Sequence, residues 1–590
     1  GSEMCIRDRY ITQAKADLLD SDVKSWLLDN KYYILMKGTG TQGIEASQIL
    51  TSTPSGTTEI TTSLEAKKNF NITGSDTALK ITTGLGADTV LGGAGNDTIT
   101  SNEGNDMITG GGGIDSISAG AGNDTLNYSI SELIGSDVVI DNIDGGEDTD
   151  KIVVTDAIAI DGTSTSGLAR AINVEKLVAA TQASTATGLT HNIILNSDAD
   201  LSGFTTIDLS ADSSTTSQAT VNLSGSAKDF TVLGVAAGTN TITANSGKDS
   251  LVGGSANDTF TFASDKLDAD DTVTGGAGTI DTIFAAGTII DTYFTKVTGI
   301  EVLSLTNTST VTLGTKAAAA GIVKVIGSAG ANTITSANAI TVDLDINAGT
   351  SLTTGAATGN YTIANDATTS TITATGSSGT LSISGDAAGT LTLAAGSGNI
   401  SVVGATAADK YVVTGLATAG QTFTGTVSKF DITAEAGAQT ITTGTAADTI
   451  TGGAGADIID GGLGNDRYVY STATGDTGVA AGTTGAISTT ALDVITVTAG
   501  DTIDLTASLG TEAGYDTVTR YTVANASALT VTAGSATTGT VVITTGVYDA
   551  AAKTFTPGNS TPNAELLSWA SADGTTADQS IILVGTASGT

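Results

Sequence analysis

The sequence predicts an all-β chain whose short parallel strands coil into rolls and longer β-solenoid stretches. Three observations carry that expectation. A nine-residue unit recurs with glycine, aspartate and an aliphatic residue at fixed places, as in GGAGNDTIT (92–100). Between such clusters, brief apolar segments return roughly every ten residues, separated by Gly, Ala, Ser and Asp turns. The three prolines are Pro54, Pro557 and Pro562, so residues 55–556 lack the one residue that stacked interior strands cannot accept. A series of small sandwiches also fits the spacing; the proline-free stretch favours a solenoid.

Composition narrows the function. The 590 residues include 75 Gly, one His and one Cys, with 23 Lys+Arg against 61 Asp+Glu and a formal charge of −38. One histidine cannot supply a zinc triad or an HExxH pair. So few cations cannot form a nucleic-acid footprint. Collagen is excluded because Pro is scarce and Gly has no three-residue period. At 39% apolar residues the chain is too hydrophobic for simple acidic disorder. No run of 18 apolar residues marks a membrane span.

Taken in order, residues 1–9 (GSEMCIRDR) differ from the rest and resemble a translated adapter or cloning remnant. They hold the lone Cys5, so the remaining chain needs no disulfide. Residues 10–70 read as the remnant of an upstream region, partly helical, with Asp22–Met36 at helical spacing behind a capping Asp22. A first roll is expected over 71–128, solenoid over 129–243, a second roll over 244–290, solenoid over 291–439 and a third roll over 440–470. Residues 471–590 read as a β-rich C-terminal domain.

The repeat explains itself physically. The first cluster aligns five units on Asp88, Asp97, Asp106, Asp115 and Asp124; each has an aliphatic residue two places later. The second carries Asp249 and Asp258, the third Asp448, Asp457 and Asp466, with degenerate copies at Asn332 and Asp281. One inward aliphatic residue makes a very short strand, and six residues make a turn. Two units then form one coil, so aspartates 18 apart stack on one edge: Asp88 with Asp106, Asp97 with Asp115, Asp106 with Asp124, Asp448 with Asp466. Stacked carboxylates repel unless a cation lies between them. Calcium takes six to eight oxygens, main-chain carbonyls included. The carbonyls expected to join in lie near Gly84, Gly86, Gly93, Gly95, Gly104, Gly111, Gly113, Gly453, Gly455, Gly462 and Gly464. Aromatics just past the last repeat of each cluster (Tyr128, Phe260 and Phe262, Tyr468 and Tyr470) are expected to plug the open end of a roll.

This pattern, GGxGxDxUx, resembles the RTX calcium-binding nonapeptide repeat. The alternation of rolls with Thr/Ala/Gly-rich β-stretches, and the related segments NVEKL (173–177) and GIEVL (299–303), resemble bacterial S-layer proteins of RTX type. The segment from Asp493 to Leu505, GVYDAAAKTF (546–555), and the ending SIILVG (580–585) are similar to the C-terminal parts of type I-secreted RTX proteins. The resemblance implies export by type I secretion, folding on extracellular calcium, and a cell-surface location. It implies assembly with copies of itself in a lattice, with attachment to surface glycan or lipopolysaccharide through an N-terminal region not recognisable here. An RTX adhesin or biofilm-matrix protein is the alternative. No catalytic constellation is read: His191, in THNIIL, has no partner motif, and the acidic residues outside the clusters are scattered. The expectation is a non-enzymatic protein with several Ca2+ ions and no other cofactor.

Overall fold

In the computed structural model, the described residues run from 34 to 585, less 39–43, 46–48, 51–56, 63–68, 161–169, 345–349, 471–486, 505–519, 523–541, 570–578 and several shorter connections. Regular structure among them is almost entirely strand. The chain forms two compact units, Gly1–Ala285 with Tyr293–Glu301, and Ala286–Thr292 with Val302–Thr590.

In the first unit, parallel strands stack coil upon coil. The repeat strands are short because only one inward side chain is available per unit. Thr98–Thr100 buries Ile99 between a solvated Thr98 and a half-buried Thr100. One ladder sets Ile60, Ile81, Ile99, Ile117, Ile143 and Ala171 in register. A second runs through Val90, Ile108, Leu126, Ile152, Leu177, Ile207, Val232, Leu251 and Val273. A third stacks Ile160, Ile193, Val221, Ile242, Phe260 and Ile283. Each of these residues is buried, so the core is a set of aliphatic files running along the coil axis. The 18-residue offset of Val90 to Ile108 and of Ile99 to Ile117 is the two-unit coil expected from sequence.

The second unit has the same construction with two interleaved ladders. One runs through Leu352, Ile372, Leu393, Val413, Ile432, Ile450, Tyr468 and Ile503. The other runs through Tyr361, Leu381, Ile400, Phe423, Ile441, Ile459 and Ile495. Tyr411, Phe423 and Phe430 pack as rings, with centroids 5.5 and 5.4 Å apart across Phe430. Past the third roll antiparallel pairs join the parallel ones. Val542–Asp549 pairs with Thr554–Pro557 and Ala564–Trp569, and Gln579–Gly585 lies beside Asp493–Val497. Leu492, Val494, Phe555, Ala564, Leu566 and Ile582 form its core. This meander covers strand edges that would otherwise offer open hydrogen-bonding groups.

Parallel ladders through 331–434 settle the choice between solenoid and sandwiches in favour of the solenoid. Two expectations are corrected. The helix read over Asp22–Met36 ends in strand, because Ile34–Gly38 pairs antiparallel with Thr57–Thr62; residues 22–33 lie outside the described residues. The aromatics after each cluster plug no open end. Leu126–Tyr128 pairs onward with Ile152–Val154, Phe260 with Ile283, and Tyr468 with Ile503, so these rings sit inside continuing stacks. Rolls and solenoid share one hydrogen-bonding scheme, which lets the ladder run straight through.

Ile242 is fully buried between Val221 and Phe260. Ile242→Ala is expected to cost about 2–5 kcal/mol, since stacked coils collapse poorly around a void. Urea denaturation in saturating calcium measures it; an unchanged midpoint would contradict the packing described.

Candidate metal centre

The ten predicted aspartates are no more than 2% exposed. Each lies at the end of a turn, just before its strand, and turns inward because its Oδ1 accepts the main-chain N–H of the equivalent residue one coil earlier. On one edge Asp97 accepts from Leu79 (2.8 Å) and Asp115 from Asp97 (2.7 Å). On the other, Asp88 accepts from Phe70 (2.6 Å), Asp106 from Asp88 (2.7 Å) and Asp124 from Asp106 (2.7 Å). Asp258 accepts from Asn240, and Asp448, Asp457 and Asp466 from Phe430, Gln439 and Asp448. Asp249 accepts from Phe230 at 3.1 Å. The stacked pairs therefore occupy successive rungs as expected. Their contact differs from expectation: the later carboxylate bonds the earlier residue's backbone rather than facing its carboxylate.

The second oxygen is the informative one. Oδ2 of Asp97, Asp115, Asp124 and Asp466 is buried and accepts no hydrogen bond. Leaving a carboxylate oxygen so costs several kcal/mol, more than a fold repeats without compensation. In Asp88, Asp249 and Asp258 the same atom accepts an N–H, from Gly84 (3.2 Å), Asn245 (3.2 Å) and Gly254 (2.6 Å).

What Oδ2 faces depends on the residue five places earlier. A Cβ on Gly92 would lie 2.5 Å from Asp97 Oδ2 and 2.5 Å from the Gly110 carbonyl, so a carboxylate and a main-chain oxygen converge on that space. Gly253 repeats this with Asp258 and the Gly275 carbonyl. Gly110 and Gly461 likewise face Asp115 and Asp466. On the other edge the position carries a side chain: Thr83 and Ser101, whose hydroxyls donate to the Ser101 and Ala119 carbonyls, then Ala119. The predicted aspartates thus have two kinds of surroundings. The glycines expected to matter lie close by: a Cβ on Gly111 or Gly113 would strike the carbonyl of Gly93 or Gly95. The first glycine of GGxGxD, which walls the site, was not singled out from sequence.

Among the described residues no three His, Cys, Asp or Glu side chains converge, so a cation here must draw much of its coordination from carbonyls. Hard oxygen donors, irregular in number and mostly main chain, suit calcium and not a transition metal. Burial, reinforced by neighbouring carboxylates, pushes Asp106, Asp115 and Asp466 up to about 7 without metal. Burial alone raises Asp97 to about 6.

Several carboxylates extend these files beyond the residues predicted. Asp141 and Asp150 accept the N–H of Asp115 and Asp124 (2.7 and 2.8 Å), and Asp271 and Asp281 those of Asp249 and Asp258 (3.1 and 2.7 Å). Asp493 and Asp501 accept those of Asp457 and Asp466 (2.8 and 2.9 Å). Glu175 and Glu301, from NVEKL and GIEVL, then accept from Asp150 and Asp281 at 2.8 Å each. The likeness of NVEKL to GIEVL was the signal that could have found the two glutamates. Tyr128 and Tyr470 donate their hydroxyls to Oδ2 of Asp141 (2.9 Å) and Asp493 (3.0 Å). The second roll has Phe262 at that place, and the Asp268 N–H donates to Asp271 Oδ2 instead (3.0 Å).

His191 is fully buried. Its Nδ1 accepts the Ile158 N–H (3.1 Å), leaving Nε2–H to donate to Asp212 Oδ2 (3.3 Å), which Ser217 also approaches (2.6 Å). Burial lowers its pKa, so it stays neutral within a structural network.

The profile of the RTX calcium-binding nonapeptide repeat matches four segments, 82–117, 100–129, 236–265 and 433–468. The chain carries RTX repeats and binds calcium ions at several sites. No curated protein gives a match to it.

The raised carboxylates set a pH dependence. Without metal, the folded state holds protons that the unfolded chain, with ordinary carboxylates near 3.8, releases. That stabilisation is full below about pH 4 and lost as pH rises through 6–7. With calcium removed before the titration, the β-structure that remains is therefore expected to have higher thermal stability at pH 5 than at pH 8, although His191 opposes the trend below 6.5. In millimolar calcium the order reverses, because protons compete with the ion. A chelated protein that is more stable at pH 8 would refute the assignment.

Proposed function

We propose that this is a calcium-dependent structural protein of the cell surface, of S-layer type, in which Asp88, Asp97, Asp106, Asp115, Asp124, Asp249, Asp258, Asp448, Asp457 and Asp466 supply calcium ligands. The observation that carries the reading is the repeated buried Oδ2 atom without a hydrogen-bond partner, in turns matching the RTX family. A charge of −38 makes the metal-free chain self-repelling. Extracellular calcium modules bind at about 10⁻⁴–10⁻³ M. In the low calcium of the cytosol the rolls stay unfolded, compatible with export through a type I channel. Outside, binding free energy becomes folding free energy.

A structural rather than catalytic role is supported by His191, whose ring is closed off from solvent by its two hydrogen bonds. Among the described residues no helix is long and apolar enough to cross a membrane. Self-assembly into a lattice, with surface glycan or lipopolysaccharide as anchor, completes the reading.

Circular dichroism in EGTA is expected to lose much of the β signal and to recover it at millimolar calcium; equal spectra would sink calcium-dependent folding. Electron microscopy of the calcium-loaded protein separates the surface roles. Ordered two-dimensional sheets support the S-layer; dispersed monomers that bind cells or glycans favour an RTX adhesin or matrix protein.

A further inference from the structure

We infer that two further calcium sites lie beyond the family-matched segments, at Asp150 and Asp281, each closed by a main-chain carbonyl of the Glu-bearing segment that follows. The inference rests on the reading that partnerless Oδ2 atoms in these turns face calcium.

Both aspartates are fully buried, and both have an Oδ2 that accepts no hydrogen bond. Both Oδ1 atoms are already engaged by the preceding rung. What each Oδ2 faces is the arrangement seen at Asp97. A Cβ on Gly145 would lie 2.7 Å from Asp150 Oδ2 and closer still to the Asn173 carbonyl. A Cβ on Gly275 would lie 2.7 Å from Asp281 Oδ2 and closer still to the Gly299 carbonyl. Carboxylate and carbonyl oxygen thus converge on one space, as Asp97 Oδ2 and the Gly110 carbonyl do. Two oxygens of like partial charge hold such a geometry when a hard cation lies between them.

The carbonyl donors are equivalent residues. Asn173 and Gly299 open NVEKL and GIEVL, and both have left-handed backbone, at φ 52° and 65°. Two residues on, Glu175 and Glu301 accept the N–H of Asp150 and Asp281 and so fix each segment against the turn. The local sequences explain why these turns escape the repeat pattern. GGEDTDKIV (145–153) has Asp148 where the unit has its middle glycine, at φ 79°. GGAGTIDTI (275–283) carries one extra residue before Asp281. Asp148 also brings a second carboxylate to the first turn. At Asp106 and Asp124, in the same file as Asp150, Ser101 and Ala119 occupy the place that Gly145 leaves open.

The test is calcium stoichiometry of the full chain, by isothermal titration from the EGTA-treated state, for wild type, Asp150→Asn, Asp281→Asn, the double variant and Asp97→Asn. Asn keeps the Oδ1 acceptor and removes the charged oxygen. The expected losses are one ion for each single variant and two for the double. If Asp97→Asn loses an ion while Asp150→Asn and Asp281→Asn keep the wild-type number, these two sites are overturned and the underlying reading stands. If all three keep it, both fall. Should a variant not recover wild-type circular dichroism, anomalous diffraction from wild-type crystals with a lanthanide in place of calcium decides. Peaks beside Asp150 and Asp281 Oδ2 support the sites, and peaks at Asp97 without them overturn the inference.

Discussion

Everything in the rolls depends on one hydrogen bond, from a main-chain N–H to the carboxylate of the aspartate one coil later. It is charge-assisted and short, 2.7 Å at Asp106, Asp115 and Asp124. It fixes the rung spacing and holds the carboxylate inward, away from water. By consuming Oδ1 it also decides where Oδ2 points. At Asp97, Asp115, Asp124 and Asp466 the interaction that builds the coil leaves a buried oxygen with no hydrogen-bond partner. The side chain that builds the rung is thus the same one that carries the candidate metal ligand.

The files do not stop where the nonapeptides do. They pass through Asp141, Asp150, Asp271 and Asp281 in one unit and Asp493 and Asp501 in the other. Where they leave the repeat, the protein supplies other partners for the carboxylates: a tyrosine hydroxyl at Asp141 and Asp493, a backbone N–H at Asp271. Glu175 and Glu301 take the last rung. The rolls therefore grade into the solenoid without a break in hydrogen bonding. Such a construction gains stability from each added coil, as quasi-one-dimensional stacks do.

Much of this was legible in sequence because each nine-residue unit carries its own instructions. Asp at the sixth place and an aliphatic residue at the eighth fix strand, turn and 18-residue register together; the stacking of Ile99 on Ile117 needed nothing further. Missing prolines were enough to point to long ladders. The helix over Asp22–Met36 failed at its visible end because Ile34–Met36 found a strand partner in Ile60–Thr62, and tertiary pairing overrides local spacing. Tyr128 looked like a plug because its ring is apolar; only the fold shows its hydroxyl seated on Asp141.

The sequence by itself determined the coil, the inward file of aliphatic residues and the identity of the ion, since these follow from a local period and from oxygen donors alone. Tertiary structure decided which oxygen each aspartate keeps free, and what stands opposite it. Gly92 opens a space where Thr83 and Ser101 fill one, and that distinction acquires meaning only when the next coil brings its carbonyl into place. The roles of Asp150 and Glu175 were hidden for the same reason. They are separated by 25 residues and belong to no common period, and only stacking makes them neighbours.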